Sequence, residues 1–316
     1  MANIEGIKII DATLRDGGLV NDFYFTDDFV QALYETNVLA GVDYMEFGYR
    51  ADKKQFDVNK YGKWKFTSDD DIRKVVGGNK AKLKVSIMVD VGRCDYINDV
   101  KPKEESPVDL IRVATYIDTI PECIEMINHF HSLGYEVTCN IMAVSKCSDK
   151  QIAEALEKLA LTPISAAYVV DSYGSLYPKQ TRHLTRLFHK ILSPAGIMVG
   201  IHAHNNQQCA FANTIEAKAC GAKMLDVTIH GMGRGAGNCY SEALIGYLNG
   251  KKYHIEPVLD FVQGYMLPLK ESGVDWGYNT SYLLTGLTNE HPRTAIEASK
   301  KKETNFTDQY KFLSYK

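Results

Sequence analysis

The segment IKIIDATLRDGG, residues 7–18, sets the fold question. It opens as an apolar, β-branched run that reads as a strand. In an open doubly wound sheet, a glycine-rich phosphate loop would follow this first strand directly. Here the run passes into Leu14, Arg15 and Asp16 before any glycine appears. Seven more runs repeat the strand pattern: VDYMEFGY (42–49), LKVSIMVD (83–90), DLIRVAT (109–115), YEVTCNIMAV (135–144), AAYVVDSY (166–173), IMVGIHAH (197–204) and MLDVTIHG (224–231). Amphipathic segments separate them. About eight strand–helix units over roughly 240 residues predict a closed (β/α)8 TIM barrel, with the doubly wound sheet as runner-up. GMGRGAG (231–237) has the glycines of a dinucleotide loop but follows the eighth run, so it is not read as one.

Helix boundaries support the same reading. Thr26 before Asp27 and Asp28 caps FVQALYETNVLAG, with acidic residues at the positive end of the dipole. Ser148 and Gln151 form a capping-box spacing ahead of IAEALEKLAL. Pro121 opens and Gly134 closes a third helix. Beyond Gly250 the rhythm changes, and EPVLDFVQGYMLPLKESG (256–273) reads as helical. The expected organisation is a barrel domain over 1–250 and a C-terminal helical extension over 251–316.

Composition narrows the function classes. The 316 residues are 45% hydrophobic and 24% charged, enough for a large core in a soluble protein. A net charge of −3 gives no case for nucleic-acid binding. No stretch approaches the roughly eighteen apolar residues needed to cross a bilayer. The N-terminus runs into the first strand without a basic-then-apolar leader. Seven cysteines are scattered with no CxxC pair, as in reduced cytoplasmic proteins.

The chemistry is written where strands end. A strand buried on both faces should be apolar throughout. Asp11, Glu46, Asp171, His202 and His204 break that rule, all toward the C-terminal ends, where barrel sites are built. In VGIHAHNNQQ (199–208), His202 and His204 alternate along a strand and so share a face, with Cα atoms roughly 6.5–7 Å apart. Strand one lies two places around the ring from strand seven, so the carboxylate of RDGG can complete a set of two histidines and one aspartate. That set suits Mn²⁺ or Mg²⁺, with iron also open. Asn238 can add an oxygen or a hydrogen bond. Arg15 can stabilise an enolate oxygen. Asp11 and Glu46 read either as catalytic or as positioning residues, and Asp171 as an organiser of the substrate pocket.

Together, DATLRDGG, HAHNN and GRGAGN resemble the motifs of the DRE-TIM metallolyase superfamily across roughly residues 7–245, closest to the 4-hydroxy-2-oxovalerate aldolases. The superfamily also includes 3-hydroxy-3-methylglutaryl-CoA lyase and the isopropylmalate and homocitrate synthases. The resemblance implies that Asp16, His202 and His204 bind a divalent metal with Asn238 at or near it, and that Arg15 steadies the enolate. It further implies cleavage or formation of a carbon–carbon bond in a small 4-hydroxy-2-oxo acid through a metal-bound enolate.

The departures bear on the base. The lyases' loop cysteine is missing from GMGRGAGN, and Arg234-Gly235 stands where the synthases read GERAGN. GLVNDFYF (18–25) lacks the histidine that the aldolases place after RDG. His230, Tyr278 and His291 are the candidates to replace it. His291 and Tyr278 fall in a segment where the aldolases bring a tyrosine over the site. The rival readings are an acyl-CoA-dependent Claisen synthase and a non-catalytic barrel serving a partner such as an aldehyde-processing dehydrogenase. Apolar stretches beyond Gly250 are compatible with a homodimer.

Overall fold

A computed structural model describes residues 4–79 and 81–315. Each of the eight apolar runs holds one strand: β1 Lys8–Asp11, β2 Tyr44–Tyr49, β3 Lys84–Asp90, β4 Leu110–Thr115, β5 Glu136–Ile141, β6 Ala166–Asp171, β7 Met198–Ala203 and β8 Met224–Val227. They are parallel, in sequential order, and close on themselves through β1 and β8. The fold is a TIM barrel.

Strand parity decides where every polar side chain goes. Ile10 sits opposite Tyr44 on one side and Asp226 on the other. Ile10, Tyr44, Leu110, Tyr168 and Met224 pack inside the barrel. Their neighbours Ile9, Met45, Ile111, Val169 and Leu225 face outward, under the helices. Both faces are therefore apolar, which is why the strands read as continuous runs rather than alternating ones. In β2 the alternation resets, because the register shifts between Glu46 and Tyr49. Gly48 at φ +141° makes the shift, and a side chain there would run into the Trp64 carbonyl. Glu46 and Tyr49, three residues apart, thus both reach the barrel mouth.

The caps form as read. Thr26 Oγ1 accepts from Phe29 N (3.1 Å) at the start of the helix Asp27–Leu39. Ser148 and Gln151 exchange hydrogen bonds at the start of Asp149–Leu159. Pro121 lies in the first turn of Ile120–Ser132, and Gly134 follows that helix at φ +91°. After the barrel, Glu256–Phe261 passes through a π turn at Val262–Met266 into Leu267–Glu271. The helix Thr280–Leu287 lies on the mouth, where Asn206 Nδ2 donates to Tyr282 O and Thr285 Oγ1, both at 3.2 Å. The seven cysteines are free thiols. Among the described residues no helix is long and apolar enough to cross a membrane.

Candidate metal centre and active site

Three motifs far apart in the chain converge at the C-terminal end of the barrel. Asp16 comes from the short helix Thr13–Gly17 that follows β1. His202 lies on β7 and His204 just past it, its backbone bridged to Asn238. One ligand atom from each of Asp16, His202 and His204 lies within 4.8 Å of the others, and all three residues are buried.

The donor set fits a divalent cation. His202 Nδ1 is held by Asp226 Oδ2 at 2.9 Å, which leaves Nε2 buried and without a partner among the described residues. A buried ring nitrogen left unpaired is costly unless something binds it. Burial, opposed by Asp16 and reinforced by Arg234, holds the His204 imidazole neutral with a free lone pair. Burial alone would raise the Asp16 pKa, but the positive charge around it, that of Arg15 above all and of Arg234 as well, outweighs burial and keeps the carboxyl ionised, well below the usual range. Asn238 Nδ2 donates to Asp16 Oδ2, and Asn238 Oδ1 is also unpaired. Gly233 has to be glycine, because a Cβ there would collide with Asn238 Nδ2 and crowd Asp16 Oδ2.

Beneath these ligands runs a ladder of buried charges. Arg15 Nη1 donates to Asp16 Oδ1 and its Nε to Glu46 Oε2, both at 2.8 Å. Arg112 Nη1 donates to the same Glu46 oxygen at 3.0 Å, and its Nη2 to Asp226 Oδ2 at 2.6 Å. Asp226 then holds His202, so Asp16 and His202, two of the three candidate ligands, are tied together across the barrel. Arg112 lies 4.5 Å from the Tyr168 ring centroid and is fully buried. Arg15 retains one arm, Nη2, with no hydrogen-bond partner among the described residues, and it lines the pocket above. Burial works against the Arg15 charge, but Glu46 and Asp16 more than restore it.

That pocket is lined by Arg15, Asp16, Tyr49, Asn140, Arg234 and His291, among others. His291 stands against Tyr173, with ring centroids 5.6 Å apart. Its Nδ1 accepts the backbone N–H of Arg293 at 3.1 Å, so Nε2 carries the proton and acts as a donor. Burial, with Arg234 and Arg293 nearby, lowers its pKa to about 4.

Several expected residues stand elsewhere. Asp11 has the parity of Ile9, not Ile10, and points out of the barrel. It accepts from Thr13 N (3.1 Å) and Thr13 Oγ1 (2.7 Å), and Thr13 Oγ1 accepts from Ile229 N (2.8 Å). Its work is to fasten the turn that carries Arg15 and Asp16. Asp171 shares the outward parity of Val169 and accepts from Ser175 N and Leu176 N at 2.9 and 3.2 Å. It shapes the loop after β6 without lining the pocket. Tyr278 is 62% exposed and does not line it either. His230 faces Glu242, at 3.7 Å, and Trp276. Glu46 touches Arg15 rather than the open pocket, and so positions that arginine.

Sequence reading gave no role to Arg112, Asp226, Asn140 or Arg234. The first three interrupt apolar strand runs, the same signal that drew attention to Glu46.

The match to the HMGL-like family model spans residues 6–266. The chain belongs to the HMGL-like family. It is an enzyme of the lyase type. Among HMGL-like relatives, it is 30% identical to a 4-hydroxy-2-oxovalerate aldolase of Bacillus cereus over 85% of this chain and 76% of that one. It is 27% identical to an oxaloacetate decarboxylase of Mycobacterium tuberculosis over 92% and 86%. A Bacteroides vulgatus domain described as a candidate aldolase superposes with a TM-score of 0.78 at 27% identity, covering 93% and 97%.

Proposed function

We propose that the chain is a divalent-metal-dependent aldolase, using Mn²⁺ or Mg²⁺, that cleaves or forms a carbon–carbon bond of a 4-hydroxy-2-oxo acid. The observation that carries this reading is the convergence of Asp16, His202 and His204 within 4.8 Å of one another beside the open arm of Arg15. A divalent ion there supplies Lewis acidity toward the substrate's carboxylate and 2-oxo oxygens.

In cleavage, the 4-hydroxyl gives its proton to solvent water as the C3–C4 bond breaks. The bonding pair passes into the pyruvate enolate, and an aldehyde leaves. The enolate then takes a proton at C3 from solvent to become pyruvate. Arg15 meets the oxygen on which negative charge develops. Because Glu46 already fixes the guanidinium, little reorganisation is needed as that charge grows. His291, with the proton on Nε2, donates to the C4 oxygen and holds it over the pocket.

The test is pyruvate release from 4-hydroxy-2-oxovalerate by the Mn²⁺-loaded protein. The expected result is equal amounts of pyruvate and acetaldehyde, lost on chelation and restored by Mn²⁺. No pyruvate from this substrate, together with thiol release from acetyl-CoA and a 2-oxo acid, would replace the aldolase with a Claisen synthase.

One observation favours a second reading. His291 is arranged to donate, not to take the hydroxyl proton. Decarboxylation of oxaloacetate reaches the same pyruvate enolate with no hydroxyl to deprotonate. Similarity to the mycobacterial oxaloacetate decarboxylase supports it. Faster pyruvate release from oxaloacetate, above the metal-only rate, would decide for it.

A further inference from the structure

Beside the metal pocket lies a second chamber, open to solvent, and the two share Leu19 and Arg234 in their walls. One wall of this chamber comes from the segment after β1, with Leu19 and Asp22. The other comes from the C-terminal region, with Asp275, Ser299 and Lys300. Arg234 stands at the junction, its Nη2 fixed to Ser172 O at 2.6 Å and its Nε buried and unpaired among the described residues. Asp22, Asp275 and Lys300 line the chamber at its solvent-exposed rim, and none of them forms a salt bridge among the described residues.

The charges in this chamber balance: Arg234 and Lys300 against Asp22 and Asp275. A ligand group of one fixed sign would meet repulsion from half of them, and an alkyl chain would strip water from all four without replacing its hydrogen bonds. Hydroxyls both donate and accept, and so satisfy both kinds of partner. With the reacting carbons under Arg15, a substrate leaving the first pocket past Arg234 enters this chamber with the end distal to C4. We propose that the aldehyde half of the substrate is a hydroxyl-bearing chain seated between the β1 segment and the C-terminal helices. This rests on the aldolase reading above.

The experiment condenses pyruvate with matched aldehydes on the Mn²⁺-loaded protein: glyceraldehyde and erythrose against propanal and butanal. Deuterium exchange of the pyruvate methyl group, in the absence of aldehyde, is measured alongside. The expected result is exchange, a kcat/KM preference of at least about tenfold for the hydroxylated aldehydes, and a fall in that ratio in Ser299→Leu. Exchange with no preference, or a preference untouched by Ser299→Leu, would overturn this proposal and leave the aldolase reading standing. Absence of exchange would overturn both.

Discussion

The two sides of the barrel mouth are held by different means. On the metal side, Asp16 and His202 are joined by an unbroken ladder through Arg15, Glu46, Arg112 and Asp226, with contacts of 2.6–3.0 Å, all buried. On the facing side, His291 is fixed by one bond from a backbone N–H two residues away and by the edge of Tyr173. The first arrangement fixes geometry across 210 residues of sequence between Asp16 and Asp226. The second is local and half-exposed. The contrast assigns different work to the two sides: rigid ligand placement on one, and adjustable contact with substrate on the other.

Breaking the ladder should therefore cost both stability and metal affinity. Arg112→Met leaves buried Glu46 with Arg15 as its one ion-pair partner and buried Asp226 with His202 alone, and should destabilise the fold by about 3 kcal/mol in denaturant titrations. Because Asp226 orients His202, Mn²⁺ affinity should also fall roughly 10–100-fold. A variant that lost neither would show that the ladder is incidental to the ligands. On the facing side, His291→Phe removes one donor and keeps the ring. It should lower kcat about tenfold while leaving Mn²⁺ binding intact. A matching loss of metal affinity would erase the distinction between the sides.

Asp171 supplies the smallest and most local effect. Burial raises its pKa to about 7, against the hydrogen bonds from Ser175 and Leu176. In the window between the unfolded value near 3.8 and the folded value, the native state binds a proton that the unfolded chain has released. Its contribution to stability is therefore present at low pH and lost as pH rises toward 7. Asp171→Asn should flatten that part of the stability–pH curve without changing Mn²⁺ affinity. An unchanged slope would contradict it.

The same contrast explains what the sequence made legible. Asp16, His202 and His204 lie in short motifs at strand ends, and their convergence follows once the strand count closes a barrel. Asp11 and Glu46 look alike in the text, each an acid near the end of an apolar run. Parity alone separates them, and in strands apolar on both faces parity leaves no trace in composition. The Arg112–Asp226 bond joins residues 114 apart, and only register brings them level. Tyr278 sits in a loop segment, where neither period nor register says which way a ring turns.

Metal binding itself decides whether Asp16, His202 and His204 together grip one divalent ion. Calorimetric titration of metal-free protein with Mn²⁺, wild type against His202→Ala, tests it directly. Wild type should take up one ion per chain, and the variant should show no site of comparable affinity. Equal stoichiometry and affinity in the two proteins would contradict it.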